Sequence, residues 1–303
     1  MAEQRWAVVV LNWNGRDDTL ACLDALEKVA DDNVDVVVVD NGSSDDSVSA
    51  IKAEFPDIEL VETGENLGFA GGNNAGIERA LERGAEWVVL LNNDALVDPD
   101  AIRAFRAAAA SHPEAGVLGG KLYFSDPPDL IWFAGQRFNT LLGYSGRPAG
   151  YRKPDKAEYQ EPKEIGRAVG ALMAVPRSVI EEVGMLDDSL FLYVEDVEWC
   201  LRIRSAGHTV RLVPDATAVH HVSASSGGEH GSVATMYYGV RNTVFVCERH
   251  RPLARPLSSL RRLVIFGTFF GQALVFAERR SLATAAVRDG FRDARRGVRG
   301  PRP

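Results

Sequence analysis

The chain has 303 residues, 46% hydrophobic and 25% charged, enough to bury a full core as one large domain or one domain plus an appendage. A formal net charge of -8 argues against a nucleic-acid binder, which presents a basic surface. The three cysteines, Cys22, Cys200 and Cys247, are odd in number and lack paired or metal-like spacing, so they read as buried, reduced thiols of a cytosolic chain.

An apolar run over 6–11 reads as a strand and begins too near the N-terminus for a signal peptide to precede it. It ends in Asn12-Trp13-Asn14-Gly15, and a helix starts near Asp17 with Leu20, Leu23, Leu26 and Val29 at near-helical spacing. A second run over 34–39 ends in Asp40-Asn41-Gly42-Ser43 and feeds a helix over 45–55 that stops before Pro56. A short strand over 58–61 follows, then a helix from Asn73 to Arg83, ended by Gly84. The run over 86–91 ends in Asn92-Asn93-Asp94, and Asp98-Pro99 opens another helix. β-Branched runs without alternation belong to strands buried on both faces, hence to a largely parallel sheet covered by helices. Such a sheet binds ligands outside the carboxyl ends of its strands, where these acidic and amide residues fall.

Beyond about residue 120 the pattern changes. Residues 125–165 are rich in Gly, Pro and Tyr and read as loops with short strands. Residues 168–175 and 209–213 read as strands, with a helix over 195–206 between them. Gly227–Ser232 reads as a boundary loop, which divides the chain into 1–226 and a helical extension, 227–303. The first part subdivides near 120 into a Rossmann-like half and an irregular half, which the resemblance given below implies to be a nucleotide-binding half and an acceptor half. The tail after Gly297 is basic and Pro-containing and is expected to be disordered.

Five clusters carry candidate chemistry. Asp94 offers a carboxylate to a hard divalent cation that is shared with phosphates, although Asn92-Asn93-Asp94 also suits a strand-end turn. Asp40 can accept a hydrogen bond from a base or ribose, or can serve its own turn. The glycines of Asn66-Leu67-Gly68-Phe69-Ala70-Gly71-Gly72-Asn73 let a backbone approach a ligand before a helix, but they lack the dinucleotide spacing, so a dehydrogenase is a poor reading. Glu195-Asp196 follows the apolar residues Phe191 to Val194 and opens a helix, as a dipole partner or as a desolvated general base. In His220-His221, one imidazole can complete a metal site with Asp94.

Taken together, the motifs resemble family 2 glycosyltransferases of the GT-A fold, in the rhamnosyltransferase-like branch. The resemblance spans about residues 5–250: VVVLNWNG, VVVVDNGSSDDS, ENLGFAGGNNAGI, VVLLNNDALVDP, VGALMAVPR and FLYVEDVEWCLRIRSAG, with Tyr237-Tyr238 and Arg241-Asn242 later. It implies an α/β GT-A domain, a Rossmann-like nucleotide-binding half with a mixed central sheet, followed by a C-terminal helical extension. It implies an inverting sugar transferase with Asp196 as base beside Glu195. Asn12, Asn14, Asp40, Asn66, Gly68, Asn73 and Asn93 would serve the donor nucleotide. Gly170, Ala171 and Trp199 would line the sugar and acceptor pocket. Asp94 and His220 would hold a divalent cation, Mn2+ or Mg2+. In the family's D-x-D element the first position here is Asn92, so Asp94 alone is ionic.

The implied donor is a nucleoside-diphosphate sugar such as a dTDP- or UDP-sugar, and the implied acceptor a glycan, lipid-linked or free. Two other readings stay open at this point: a non-catalytic nucleotide-sugar or glycan-binding relative, and a sugar-nucleotide pyrophosphorylase. The apolar run Leu263–Ala277 would span about 22 Å as a helix, short of a hydrocarbon core of about 30 Å. Its readings are a buried packing helix or homo-oligomer contact, or a helix in a membrane interface with Arg261, Arg262, Arg279 and Arg280 on head groups. The latter would place a cytoplasmic protein on the inner face of the cell membrane.

Overall fold

The computed structural model describes residues 4–29, 33–221 and 232–302. Strand β1 (Trp6–Asn12) leads to α1 (Arg16–Leu26), β2 (Val34–Asp40), α2 (Ser47–Glu54), β3 (Glu59–Glu62) and α3 (Gly68–Glu82). Next come β4 (Trp87–Asn92), the short β5 (Ala95–Val97), α4 (Ala101–Ser111) and β6 (Ala115–Phe124). Four short strands occupy the irregular middle, as expected: β7 (Ile131–Phe133), β8 (Phe138–Asn139), β9 (Tyr144–Ser145) and β10 (Lys163–Glu164). They are followed by β11 (Leu172–Pro176), α5 (Arg177–Val183), α6 (Glu195–Ser205) and β12 (Thr209–His220). Helices α7 (Val233–His250), α8 (Arg255–Val275) and α9 (Arg280–Arg296) complete the chain.

The central sheet runs β10-β12-β6-β11-β4-β1-β2-β3. Strands β4, β1, β2 and β3 are mutually parallel, β11 lies antiparallel between β4 and β6, and β12 is parallel to β6. This is the expected mixed α/β sheet. Alternate residues of β1 explain its unbroken apolar run: Trp6, Val8 and Val10 share a core with Cys22, Leu23 and Ile51, whereas Ala7 and Val9 share one with Ile77 and Ala80.

Four expectations change. Helix α3 begins at Gly68 rather than Asn73, because tertiary packing overrides the low helix propensity of glycine. A Cβ on Gly72 would strike Leu11 and Asn41, and one on Gly76 would strike Val9 and Val39, so these glycines let the helix lie close on the sheet. The strand expected over 168–175 starts only at Leu172, after a turn closed by Leu172 N–H to the Val169 carbonyl. Strand β12 continues past Pro214 to His220 through a register shift between Val213 and Thr217. The tail after Gly297 is docked rather than disordered: Gly300 N–H donates to the Ser189 carbonyl at 2.7 Å, and the Arg302 N–H to the Tyr238 hydroxyl at 2.7 Å.

The boundary expected at Gly227–Ser232 lies, but for Ser232, outside the described residues. In the extension, α7 is buried along most of its length against α8 and α9. Arg261 and Arg262 stand inside α8 and not at a helix end, where the membrane-interface reading put them. Arg261 is 3% exposed and donates to the Thr140 and Arg251 carbonyls, and Arg262 pairs with Glu248. No helix among the described residues is long and apolar enough to cross a membrane.

Candidate active site

The parallel strands deliver their amide and acidic residues to one edge, and the loops there are tied together before any ligand is considered. Asn12 is fully buried; its Nδ2 donates to Asp40 Oδ1 at 2.9 Å and Ser43 Oγ at 3.1 Å, and its Oδ1 accepts from the Thr19 hydroxyl at 2.9 Å. The second oxygen of Asp40 accepts from Ser43 N–H at 3.0 Å. Asn14, at φ +52°, accepts from Ser44 N–H at 2.7 Å. Asn73 donates to the Phe69 carbonyl inside α3. Asn12, Asn14, Asp40 and Asn73 therefore brace the loops and do not line the adjacent cavity.

That cavity, about 680 Å³, is walled by Asn66, Gly68, Asn93, Asp94, Gly170, Ala171, Glu195, Asp196 and His220 among others. Its size suits a small-molecule ligand. Trp199 is not on its wall: it is fully buried, with its indole N–H on the Gly184 carbonyl at 2.9 Å. The sequence did not single out Trp13, Asn41 or Arg167, which line the cavity too. Asn41 and Trp13 stand inside the strand-end turns already noted, so position offered a clue. Arg167 has no motif and becomes visible only through its partner.

That partner is Asp196. Arg167 Nη1 donates to Asp196 Oδ2 at 2.7 Å, while the rest of the guanidinium is held by Gln136. Asp196 Oδ1 accepts from Val197 N–H at 2.6 Å. Glu195 has less help, its backbone hydrogen bond and the more distant pull of Arg167 being outweighed. Its Oε2 is buried without a hydrogen-bond partner, and burial, then the Asp196 charge, pushes its carboxyl above the usual range. The pair is thus divided into a carboxyl that favours its proton and a carboxylate held in an ion pair.

The backbone leading to this pair is strained. Phe191, Tyr193 and Val194 have φ of +66°, +63° and +73°, a region that β-branched and bulky residues rarely enter. Asn242 on α7 supplies the compensation: its Nδ2 donates to the Leu190, Leu192 and Tyr193 carbonyls at 2.8–2.9 Å. Arg241 Nη2 adds a bond to the Leu190 carbonyl at 2.9 Å. Gly68 closes the loop from the other side, where a Cβ would collide with the Phe191 carbonyl.

Asp94 and His220 meet because β12 pairs antiparallel with β5, with His220 opposite Ala95 and His221 N–H on the Asp94 carbonyl at 2.8 Å. His220 Nε2 lies 3.0 Å from Asp94 Oδ1, and Trp132 packs edge-on against the ring. His220 Nδ1 is buried without a hydrogen-bond partner, and His221 is exposed. Oxygen and nitrogen donors on adjacent vertices of an octahedral ion, at bond lengths of about 2.1 Å, stand about 3.0 Å apart. The pair fits a divalent cation whose other ligands come from a ligand's oxygens and water. No group of three or more candidate metal ligands occurs among the described residues.

The three cysteines are buried as expected, and burial pushes the Cys200 and Cys247 thiols up to about 12.

The profile of Glycosyl transferase family 2 matches residues 7–184. The N-acetylglucosaminyl-diphospho-decaprenol L-rhamnosyltransferase of Mycobacterium tuberculosis is 30% identical over 72% of this chain and 76% of its own. The dTDP-rhamnosyl transferase RfbF of Shigella flexneri is 28% identical over 84% of this chain and 83% of its own. Among solved structures, the mannosyltransferase PcManGT from Pyrobaculum calidifontis, in complex with GDP-Man and Mn2+, superposes with a TM-score of 0.56. It is 18% identical and covers 98% of this chain and 88% of its own, a likeness of fold, which is GT-A.

Proposed function

The chain belongs to glycosyl transferase family 2 and is an inverting sugar transferase, and we propose that it moves a deoxyhexose from a nucleoside-diphosphate sugar to a lipid-linked glycan. The relatives named for dTDP-rhamnosyl transfer and for a diphospho-decaprenol acceptor support that choice of donor and acceptor. The observation that carries the reading is that Asp94 with His220, and Glu195 with Asp196, wall the same cavity.

Within it, Trp13 and the Asn41–Asn66 pair offer a flat apolar face and amide groups to the nucleoside. Asp40 and Asn12 hold that wall in place. Asp94 and His220 would hold a divalent cation, Mn2+ or Mg2+, which supplies positive charge to the leaving diphosphate. Asp196 takes the proton of the acceptor hydroxyl as its oxygen forms a bond to the anomeric carbon, and the nucleoside diphosphate departs from the opposite face. Inversion follows from that geometry. Arg167 fixes the rotamer of Asp196 and leaves lone pairs on both oxygens free to accept. Glu195, holding its proton, adds no second negative charge beside the incoming hydroxyl. The intact acidic pair supports catalysis over mere sugar-nucleotide binding.

Thermal unfolding with a panel of nucleoside diphosphates tests the reading. With Mn2+, dTDP at 100 times its Kd should stabilise the native state by about 2.7 kcal/mol. Chelation, or Asp94→Ala, should remove most of that gain. A protein unmoved by dTDP, UDP and GDP in either condition would contradict the proposed donor class.

A further inference from the structure

Helix α8 carries a face that no soluble surface needs. At 100° per residue, Leu257, Leu260, Leu263, Val264, Leu274 and Val275 fall on one side, and each is 40% to 63% exposed. Gly267 and Gly271 lie on the same side with open space beside them, so no polar side chain interrupts it. Away from that face the helix is occupied: Ile265 and Ala273 are buried and Phe269 and Gln272 line the catalytic cavity, which Thr268, at the border of the apolar face, also lines.

A second exposed apolar group adjoins the helix. The turn between β8 and β9 presents Leu141, Leu142 and Tyr144. It is seated on α8, because a Cβ on Gly143 would strike Ile265 and Arg261 donates to the Thr140 carbonyl at 3.3 Å. Gly143 and Tyr144 line the cavity as well. Both parts of this apolar surface are therefore also walls of the active site.

Charge decides the occupant. The segment 251–303 holds twelve arginines against Glu278, Asp289 and Asp293, in a chain whose net charge is -8. Arg279 and Arg280 are exposed just beyond Phe276, at the end of the apolar face. A second copy docked face to face would bring two such basic units together, whereas an anionic lipid surface matches both the apolar face and its positive margin.

We propose that α8 and the 141–144 turn dock on an anionic membrane surface and hold the cavity against it. The proposal rests on the lipid-linked acceptor reading, since a carrier lipid left in the bilayer then presents its sugar beside Asp196.

Flotation of the full chain with phosphatidylglycerol and with phosphatidylcholine vesicles tests it. Binding is expected to the anionic vesicles, weakening as salt rises, with little to the neutral ones. Leu260→Glu with Val264→Glu changes only exposed side chains and should cut recovery with vesicles at least about tenfold. Arg279→Glu with Arg280→Glu should also reduce it. Binding of dTDP with Mn2+ should be unchanged in both variants, so a failed donor reading is distinguished from a failed docking surface. No flotation at low salt, or equal flotation on both vesicle types, overturns the proposal. So does a dimer that the Leu260→Glu, Val264→Glu variant turns into a monomer without any vesicle binding.

Discussion

Glu195 and Glu198 lie three residues apart on α6 and meet opposite environments. Glu198 is fully buried but accepts from Arg202 at 2.9 Å, Arg249 at 3.0 Å and His250 at 3.2 Å. Burial alone would raise its carboxyl; the hydrogen bonds from His250, Arg202 and Arg249 outweigh it and hold the group at about 2. Glu195 is raised, because burial and the neighbouring Asp196 charge outweigh the pull of Arg167. The signs for stability follow. A carboxyl lowered in the folded state stabilises above its unfolded value of about 4.3, and the contribution is lost as pH falls toward 2. A raised carboxyl does the reverse: it costs stability as pH rises above about 4.3. Glu198→Gln should therefore lose about 3 kcal/mol at pH 7, with the difference shrinking toward pH 2. Glu195→Gln should be no less stable than the parent at pH 7. Urea unfolding of both variants across this range checks the pair, and equal losses would contradict the division of roles.

At the scale of elements, the strained loop before α6 depends on a helix nearly fifty residues later. Among the described residues, Asn242 is the side chain that reaches the Leu190, Leu192 and Tyr193 carbonyls together. Without it, the backbone at Tyr193 and Val194 can relax and move Asp196. A displacement of about 1 Å costs about 100-fold in rate, so Asn242→Ala should lower kcat by about 10- to 100-fold. Donor binding should stay within about twofold, because Asn242 does not line the cavity and bonds, among the described residues, only the loop before α6 and Arg241. An unchanged kcat in a folded variant would leave the loop's geometry to Gly68 and Arg241 alone. Sequence pattern made the strands of this region legible wherever burial on both faces wrote a continuous apolar run, as in β1, β2 and β4. It failed where the constraint was tertiary. Strand β6 is not legible in sequence because Gly116, Gly119 and Gly120 dilute its apolar pattern, and the start of α3 is not, because helix propensity says nothing of Val9 and Val39 beneath Gly76.

Across the whole molecule, the edge chemistry was readable and its cross-links were not. Asp94 and His220 carried signals of residue type, but only the β12–β5 register puts them 3.0 Å apart. Arg167 carried none, and Trp199, which lay inside the motif, turned out to serve the core. The tail after Gly297 had the composition of a disordered segment. Yet Arg241 donates to the Gly300 carbonyl at 2.7 Å and Arg299 stacks on Phe245, so the end of the chain is fastened to the helix that braces the active-site loop. Through α7, these contacts tie the segment after Gly297 to the loop that leads into Glu195 and Asp196.

The measurement that bears on this most directly is single-turnover transfer by the parent and by Asp196→Asn, using the nucleotide sugar selected by the binding panel and a diphospho-polyprenol-linked sugar as acceptor. The parent should give product with inverted anomeric configuration. Asp196→Asn keeps the shape but removes the basic oxygen, so its rate should fall by about 10²–10⁴-fold with donor affinity unchanged. Retained configuration, or a variant that transfers at near the parent rate, would contradict Asp196 as the base.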